Sequence, residues 1–146
     1  MEGVMIMKKQ GILNAPLNAA LGELGHYDTS VICDAGLPIP QNTKRIDLSL
    51  TAGIPGFMDV LSVVSGEIDL ERVILAEEIK LDNPAQLEAI KKLLSGVKIE
   101  FIPHTELKRK VSEAKFVVRT GEVTPFSNII LESGVQTLFS SWVKNR

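Results

Sequence analysis

The chain has 146 residues, 45% of them apolar and 23% charged, with a net charge of −2. That length is usual for one domain with a buried core, and that balance excludes a disordered segment. No block of Lys and Arg is long enough to attract nucleic acid or an anionic membrane, and no apolar run approaches the ~20 residues of a membrane span.

The start, MEGVMIMKKQ, lacks the apolar segment and cleavage site of a signal peptide. MKKQGI reads as a beginning, so residues 1–6 are read as an upstream start or a cloning scar, and residues 7–146 as one domain. Asn14, Ala15 and Pro16 predict a helix start. Leu17, Leu21 and Leu24 follow at helical spacing, with Gly25 as the stop. TSVICD reads as a strand, and Ile46, Leu48 and Leu50 alternate as a second one after the Pro-rich turn LPIPQ. Pro55 is expected to open a helix with Phe57, Val60, Leu61 and Val64 on one face. RVILAEE reads as a short apolar strand.

Asn83, Pro84 and Gln86 suggest a capping box, with the glutamine reaching back, on a helix running to about Gly96. In VKIEFI, Val97, Ile99 and Phe101 alternate with Lys98 and Glu100. Thr105 is expected to cap a short helix carrying Leu107 and Val111, and KFVVR and NIILES read as two last strands. The order αββαβαβαββ predicts a single three-layer α/β domain, with a mixed sheet of about six strands and helices on both faces.

In open α/β sheets, ligands bind outside the carboxyl ends of strands. Asp34 ends the first strand, His104 follows another, Lys108 comes one helical turn later, and Asn128 starts the last strand. His26 stands just past the glycine stop, eight residues before Asp34. Each has a plainer reading: a loop histidine, an Asp turn former before Ala-Gly, a residue flanking a cap, a solvated lysine, a loop amide. No single residue decides between the two.

Other chemistries fit less well. Two histidines and one cysteine cannot build a standard structural zinc site, and the spacing of the histidines disfavours an iron triad with Asp34. One cysteine excludes an internal disulfide framework and suits a reducing, cytoplasmic setting. Cys33 is a poor nucleophile candidate, because it must face away from Asp34 and into the core. GEVTP, LTAGIPG and VVSG lack phosphate-loop spacing.

Taken in order, KKQGILNAPLNAALGELGH, DAGLPIP, IDLSL and RTGEVTPFSNIIL resemble the successive motifs of the D-ribose pyranase family, a relative of the fucose mutarotases. The similarity runs from about Met7 to Phe139, and DAGLP favours the ribose branch. The resemblance implies a cofactor-free, metal-free cytoplasmic isomerase that interconverts the pyranose and furanose forms of D-ribose. It also implies a homodecamer of two stacked pentamers, with active sites between adjacent subunits. His26 matches the family's general acid, and Asp34, His104, Lys108 and Asn128 match sugar-binding positions. Phe126 stands where the family has tyrosine, so one hydroxyl is lost while the ring can still pack on the sugar.

Ring opening needs the anomeric hydroxyl to lose a proton while the ring oxygen gains one. A histidine suits that exchange, so His26 is expected to carry it. Asp34 would accept hydrogen bonds from the sugar, or orient His26 if the two approach. One expected arrangement brings His26 and Asp34 of one subunit to Phe126 and Asn128 of another. The competing reading is a non-catalytic ribose-binding or regulatory partner of a sugar transport system, with the same pocket and no turnover. The C-terminal SSWVKNR runs past the usual family end.

Overall fold

The computed structural model describes residues 7–144. Residues 1–6, read as an upstream start or scar, lie outside the described residues, as do Asn145 and Arg146 of SSWVKNR. Helix α1 (Ala15–Gly22) leads into β1 (Thr29–Cys33) and β2 (Arg45–Asp47), followed by α2 (Phe57–Ser65) and β3 (Leu70–Ala76). Two helices, α3 (Ile79–Asp82) and α4 (Pro84–Leu93), precede β4 (Ile99–Ile102) and α5 (His104–Lys110). Strands β5 (Phe116–Arg119) and β6 (Ile129–Ser133) and helix α6 (Gln136–Lys144) complete the order.

The six strands form one open mixed sheet in the order β2-β5-β1-β6-β3-β4. Only β6 runs antiparallel, lying between β1 and β3; the other pairings are parallel. That single reversal sets the geography of the molecule. The carboxyl ends of β1 to β5 share one edge of the sheet with the start of β6. The start of β1, the start of β3 and the end of β6 share the opposite edge.

Alternate strand residues feed two cores. Ile32, Leu75, Val118 and Leu131 face α1, α2 and α4, where Leu17, Phe57, Leu61 and Ile90 are buried. Val31, Cys33, Ile74 and Val117 face the other way, against Leu37 and against Leu107 of α5. The predicted three layers with helices on both faces are therefore present. Each large side chain so buried contributes about 1.5–3 kcal/mol. Burial, with the nearby Asp34 carboxylate, pushes the Cys33 thiol up to about 12, so it stays protonated and inert.

Local chemistry moved several predicted boundaries. Asn14 caps α1 as expected, its Oδ1 accepting Leu17 N–H at 2.9 Å. The helix stops at Gly22, however, and not at Gly25: the Glu23 and Leu24 amides turn back to Ala20 and Leu21 in a tightened last turn. Strand β2 ends at Asp47, whose Oδ1 takes both the amide and the hydroxyl of Ser49 and bends the chain, leaving Leu50 80% exposed. Pro55 lies outside α2. Gly56 is the N-cap there, and Asp59 Oδ2 accepts its N–H at 2.9 Å.

Strand β3 ends before Glu77 and Glu78, and α4 ends at Leu93, short of Gly96. Thr105 lies inside α5, which starts at His104, and the Glu78 carboxylate accepts the His104 amide at 3.0 Å in place of a local cap. Helices α3 and α6 carry no strong signal in the sequence. In α6, Thr137 donates from its amide and hydroxyl to Asp69 at 3.1 and 2.6 Å, while Leu138, Phe139 and Trp142 are exposed.

Candidate active site

The motif RTGEVTPFSN links β5 to β6 and builds the carboxyl edge almost residue by residue. Arg119 Nε donates to the Ala35 carbonyl at 3.1 Å, and its Nη1 to Asp47 at 3.0 Å and Ser49 at 2.9 Å, tying the turn after β1 to the turn after β2. Thr120 donates from its amide and its hydroxyl to the Cys33 carbonyl, at 3.0 and 2.8 Å. Gly121 packs so closely on residues 51–54 that a Cβ would meet Thr51 O at 2.5 Å and Ile54 O at 2.6 Å. Any side chain there would have to push backbone aside.

Glu122 Oε1 accepts Phe57 N–H at 2.9 Å, a remote cap for α2, and Oε2 accepts the Thr124 hydroxyl at 2.8 Å. Burial alone would raise this carboxyl, but these hydrogen bonds outweigh it and hold it below its ordinary value. Thr124 and Ser127 hydroxyls meet at 2.9 Å. From the start of α4, Asn83 Nδ2 donates to the Pro125 carbonyl at 2.8 Å, and Gln86 Nε2 to Ser127 Oγ at 3.0 Å. The expected capping box is thus half formed. Asn83 Oδ1 caps the Gln86 amide, but the glutamine side chain holds the site loop instead of reaching back.

Between these clamps Phe126 takes a φ of 56°, in the left-handed region that costs a bulky residue about 1–3 kcal/mol. The bonds at 125 and 127 hold it there. Its ring meets His104 edge to face, the centroids 5.0 Å apart.

Asp34, Pro38, His104, Lys108, Phe126 and Asn128 line a cleft of about 370 Å³ at this edge. That is within the range of small-ligand sites. Asn128 is buried; its Oδ1 accepts the Asp34 amide at 2.9 Å and its Nδ2 donates to Asp34 Oδ2 at 3.3 Å. Asp34 Oδ1 accepts the Gly36 amide at 3.0 Å. Burial raises the Asp34 carboxyl above its ordinary value, although these hydrogen bonds pull it back. Burial, with the Lys108 ammonium beside it, lowers His104, so its ring is neutral at pH 7. Its Nδ1 is buried and has no hydrogen-bond partner among the described residues.

His26 is elsewhere. It lies on the amino side of β1, and the five strand residues between it and Asp34 alone span about 16 Å, at ~3.3 Å each. No orienting contact with Asp34 is made. The arrangement expected from sequence, with His26 and Asp34 in one subunit and Phe126 and Asn128 in another, is therefore corrected. One chain supplies Asp34, Phe126 and Asn128 together, and His26 is the group that stands apart.

A tight turn presents it. Asp28 N–H returns to Gly25 O at 3.1 Å, Asp28 Oδ2 accepts Gly25 N–H at 2.7 Å, and Tyr27, at φ 72°, anchors its amide on Ser133 O at 2.8 Å. The Tyr27 ring stacks on the imidazole at 3.7 Å, and Nε2 lies 3.1 Å from Glu71 Oε1. Sequence reading missed Glu71, Glu78, Arg119 and Glu122. For the last two, the signal was the motif itself, once each of its residues is asked for a hydrogen bond. A larger concavity of about 520 Å³, between α1 and α6, is lined by Leu21, Leu24, Leu138 and Phe139, and lacks the convergent set of the first.

Residues 7–136 match the RbsD / FucU transport protein family. A D-ribose pyranase of Lactobacillus gasseri is 51% identical over 129 residues, which are 88% of this chain and 98% of that protein. A D-ribose pyranase of Geobacillus kaustophilus is 53% identical over 135 residues, 92% of this chain and 98% of that protein. The structure of Bacillus subtilis RbsD complexed with D-ribose superposes with a TM-score of 0.85 at 47% identity, covering 88% of this chain and 98% of that one. With the motif series, the sheet and near-complete coverage in agreement, the chain belongs to the RbsD / FucU transport protein family.

Proposed function

We infer that this chain is an isomerase that interconverts the pyranose and furanose forms of D-ribose by acid–base ring opening and closure. The observation that carries this is its identity of more than half with D-ribose pyranases, over almost their whole length. The cleft suits the task. Asp34 offers a carboxylate to sugar hydroxyls, the His104 ring lines the cleft beside it, and the exposed Lys108 supplies positive charge at the rim. Phe126 gives an apolar face. The word transport in the family's description keeps a non-catalytic binding role in view, but relatives this similar are named as enzymes.

The proton work falls to His26, the residue that matches the family's general acid. His26 reaches a sugar in the cleft only from an adjacent subunit, so we place the active site between subunits of a homo-oligomer, two stacked pentamers, in the cytoplasm. The protonated His26 ring gives its proton to the ring oxygen as the bond from that oxygen to the anomeric carbon breaks, while the anomeric hydroxyl passes its own proton to solvent water and becomes the aldehyde. The aldehyde rotates and another hydroxyl closes on it, returning its proton to the imidazole while the carbonyl oxygen takes one back from water. This exchange requires no redox centre and no covalent intermediate. Among the described residues, no helix is long and apolar enough to cross a membrane.

Exchange NMR of ribose tests this directly. Wild-type protein at catalytic concentration should broaden the ribose anomeric signals and leave those of fucose nearly unchanged. His26→Ala should lose about 10²–10⁴-fold of the acceleration. Full acceleration by that variant would remove the role given to His26. Unbroadened ribose signals with wild-type protein, alongside measurable ribose binding, would leave the transport-partner reading.

The missing hydroxyl is also testable. Phe126→Tyr should tighten ribose binding about 2- to 10-fold, since one neutral hydrogen bond is worth ~0.5–1.5 kcal/mol. Calorimetric titration reads this, and weaker binding would mean that the phenol finds no sugar hydroxyl.

A further inference from the structure

Strands β3 and β6 pair in register except at one point. Leu70 lies opposite Ser133 and Arg72 opposite Glu132, so Glu71 is an extra residue, the bulge of the pair. Strict alternation from Leu75 and Val73, which face the larger core, would aim residue 71 inward too. The bulge gives that inward place to Leu70, which packs on the same core, and frees Glu71 to turn toward His26. Bulges of this kind re-aim a side chain and raise local twist.

Three neighbours fix the bulge in place. Arg72 is held by Glu132 at 3.2 Å and by Glu100, so the strand cannot slip by a residue. Gly134 opposite has no Cβ; one would meet Glu71 Oε1 at 3.2 Å and the Glu71 amide at 3.4 Å, tighter than ordinary contact. Ser133 anchors the Tyr27 amide, so the histidine turn and the carboxylate are referenced to the same strand end.

The geometry points to Glu71 as the positioning residue for His26, a role that rests on His26 being the acid of the reaction. A carboxylate only accepts, so the Nε2 that lies 3.1 Å from it carries the proton. Nδ1 is then the nitrogen left to exchange a proton with the sugar. The carboxylate also balances the imidazolium while that proton is held, and the Tyr27 ring on one face stops the imidazole from turning over. A second group that orients a catalytic base recurs wherever a histidine must present one chosen nitrogen.

Glu71→Gln keeps the shape and removes the charge; kcat should fall about tenfold or more while KM stays within about twofold. Gly134→Ala should give a smaller fall of the same kind. Adding Glu71→Gln to His26→Ala should slow the reaction no further, because the two act as one unit. A slow His26→Ala beside a full-speed Glu71→Gln would overturn the positioning role alone, and so would a double variant slower than His26→Ala by the full Glu71→Gln factor. A full-speed His26→Ala would instead take away the catalytic reading of His26. Should Glu71→Gln fail to fold or assemble by circular dichroism and sedimentation, Glu71→Asp with Gly134→Ala decides by the same criteria.

Discussion

At ribose well below saturation, equal amounts of His26→Ala and Asp34→Asn subunits, each about tenfold or more slower than wild type alone, are expected to regain activity when they assemble together. The reason lies in the polarity of the sheet. His26 sits before β1 and Asp34 after it, at opposite edges of the sheet. In the assembly proposed above, each site would take a histidine from one subunit and an aspartate from the next. Random assortment then makes about a quarter of the sites from two intact halves, and about a quarter of the wild-type rate should return. Dissociation and joint reassembly, followed by ribose exchange NMR, measures it. Mixed oligomers that have exchanged subunits, shown by mass spectrometry, and yet stay as slow as the single variants would mean that both groups belong to one chain's site.

The second large effect separates stability from function at Asp34. Burial holds its carboxyl above the ordinary aspartate value of 3.8, so the fold favours the protonated form. That stabilising contribution is complete below pH 3.8 and is lost as pH rises through the folded value; at pH 7 the ionised carboxylate costs folding free energy. Asp34→Asn removes the buried charge and gives up the long 3.3 Å contact from Asn128, while Gly36 N–H keeps an acceptor. The variant should therefore melt at or above the wild-type temperature. Ribose affinity should nonetheless drop about 10- to 100-fold, the worth of a hydrogen bond to a charged group. Calorimetry with and without ribose reads both. A lower melting temperature with intact affinity would return Asp34 to the role of a plain turn former.

Much of this could be read in the sequence, for identifiable reasons. Phe57, Val60, Leu61 and Val64 repeat with the helical period and are all buried in α2, because one amphipathic face against a sheet leaves little freedom. The cleft residues Asp34, His104, Lys108 and Asn128 could be placed near one edge, since strand ends in an α/β sheet are where side chains converge, while Phe126 came only with the family resemblance. What the sequence concealed depends on partners far along the chain. Ile46, Leu48 and Leu50 alternate like a strand, but β5 is only long enough to pair with the first part, and Asp47 bends the rest away. Glu71 looks like one more surface charge until the bulge is seen. The separation of His26 from Asp34 follows from β1, which takes up five of the seven residues between them.

The central position of β6 also bears on how the chain comes to be made. Strand β1 has β5 and β6 as its partners, and Ser30 and its partner Phe116 are about 85 residues apart in sequence, a separation that slows closure. Until Ile129–Ser133 leaves the ribosome, β2-β5-β1 and β3-β4 are two unjoined patches with open edges. Collapse must wait for nearly the whole polypeptide, and a nascent chain arrested before residue 129 exposes strands that invite pairing with a neighbour on the same message.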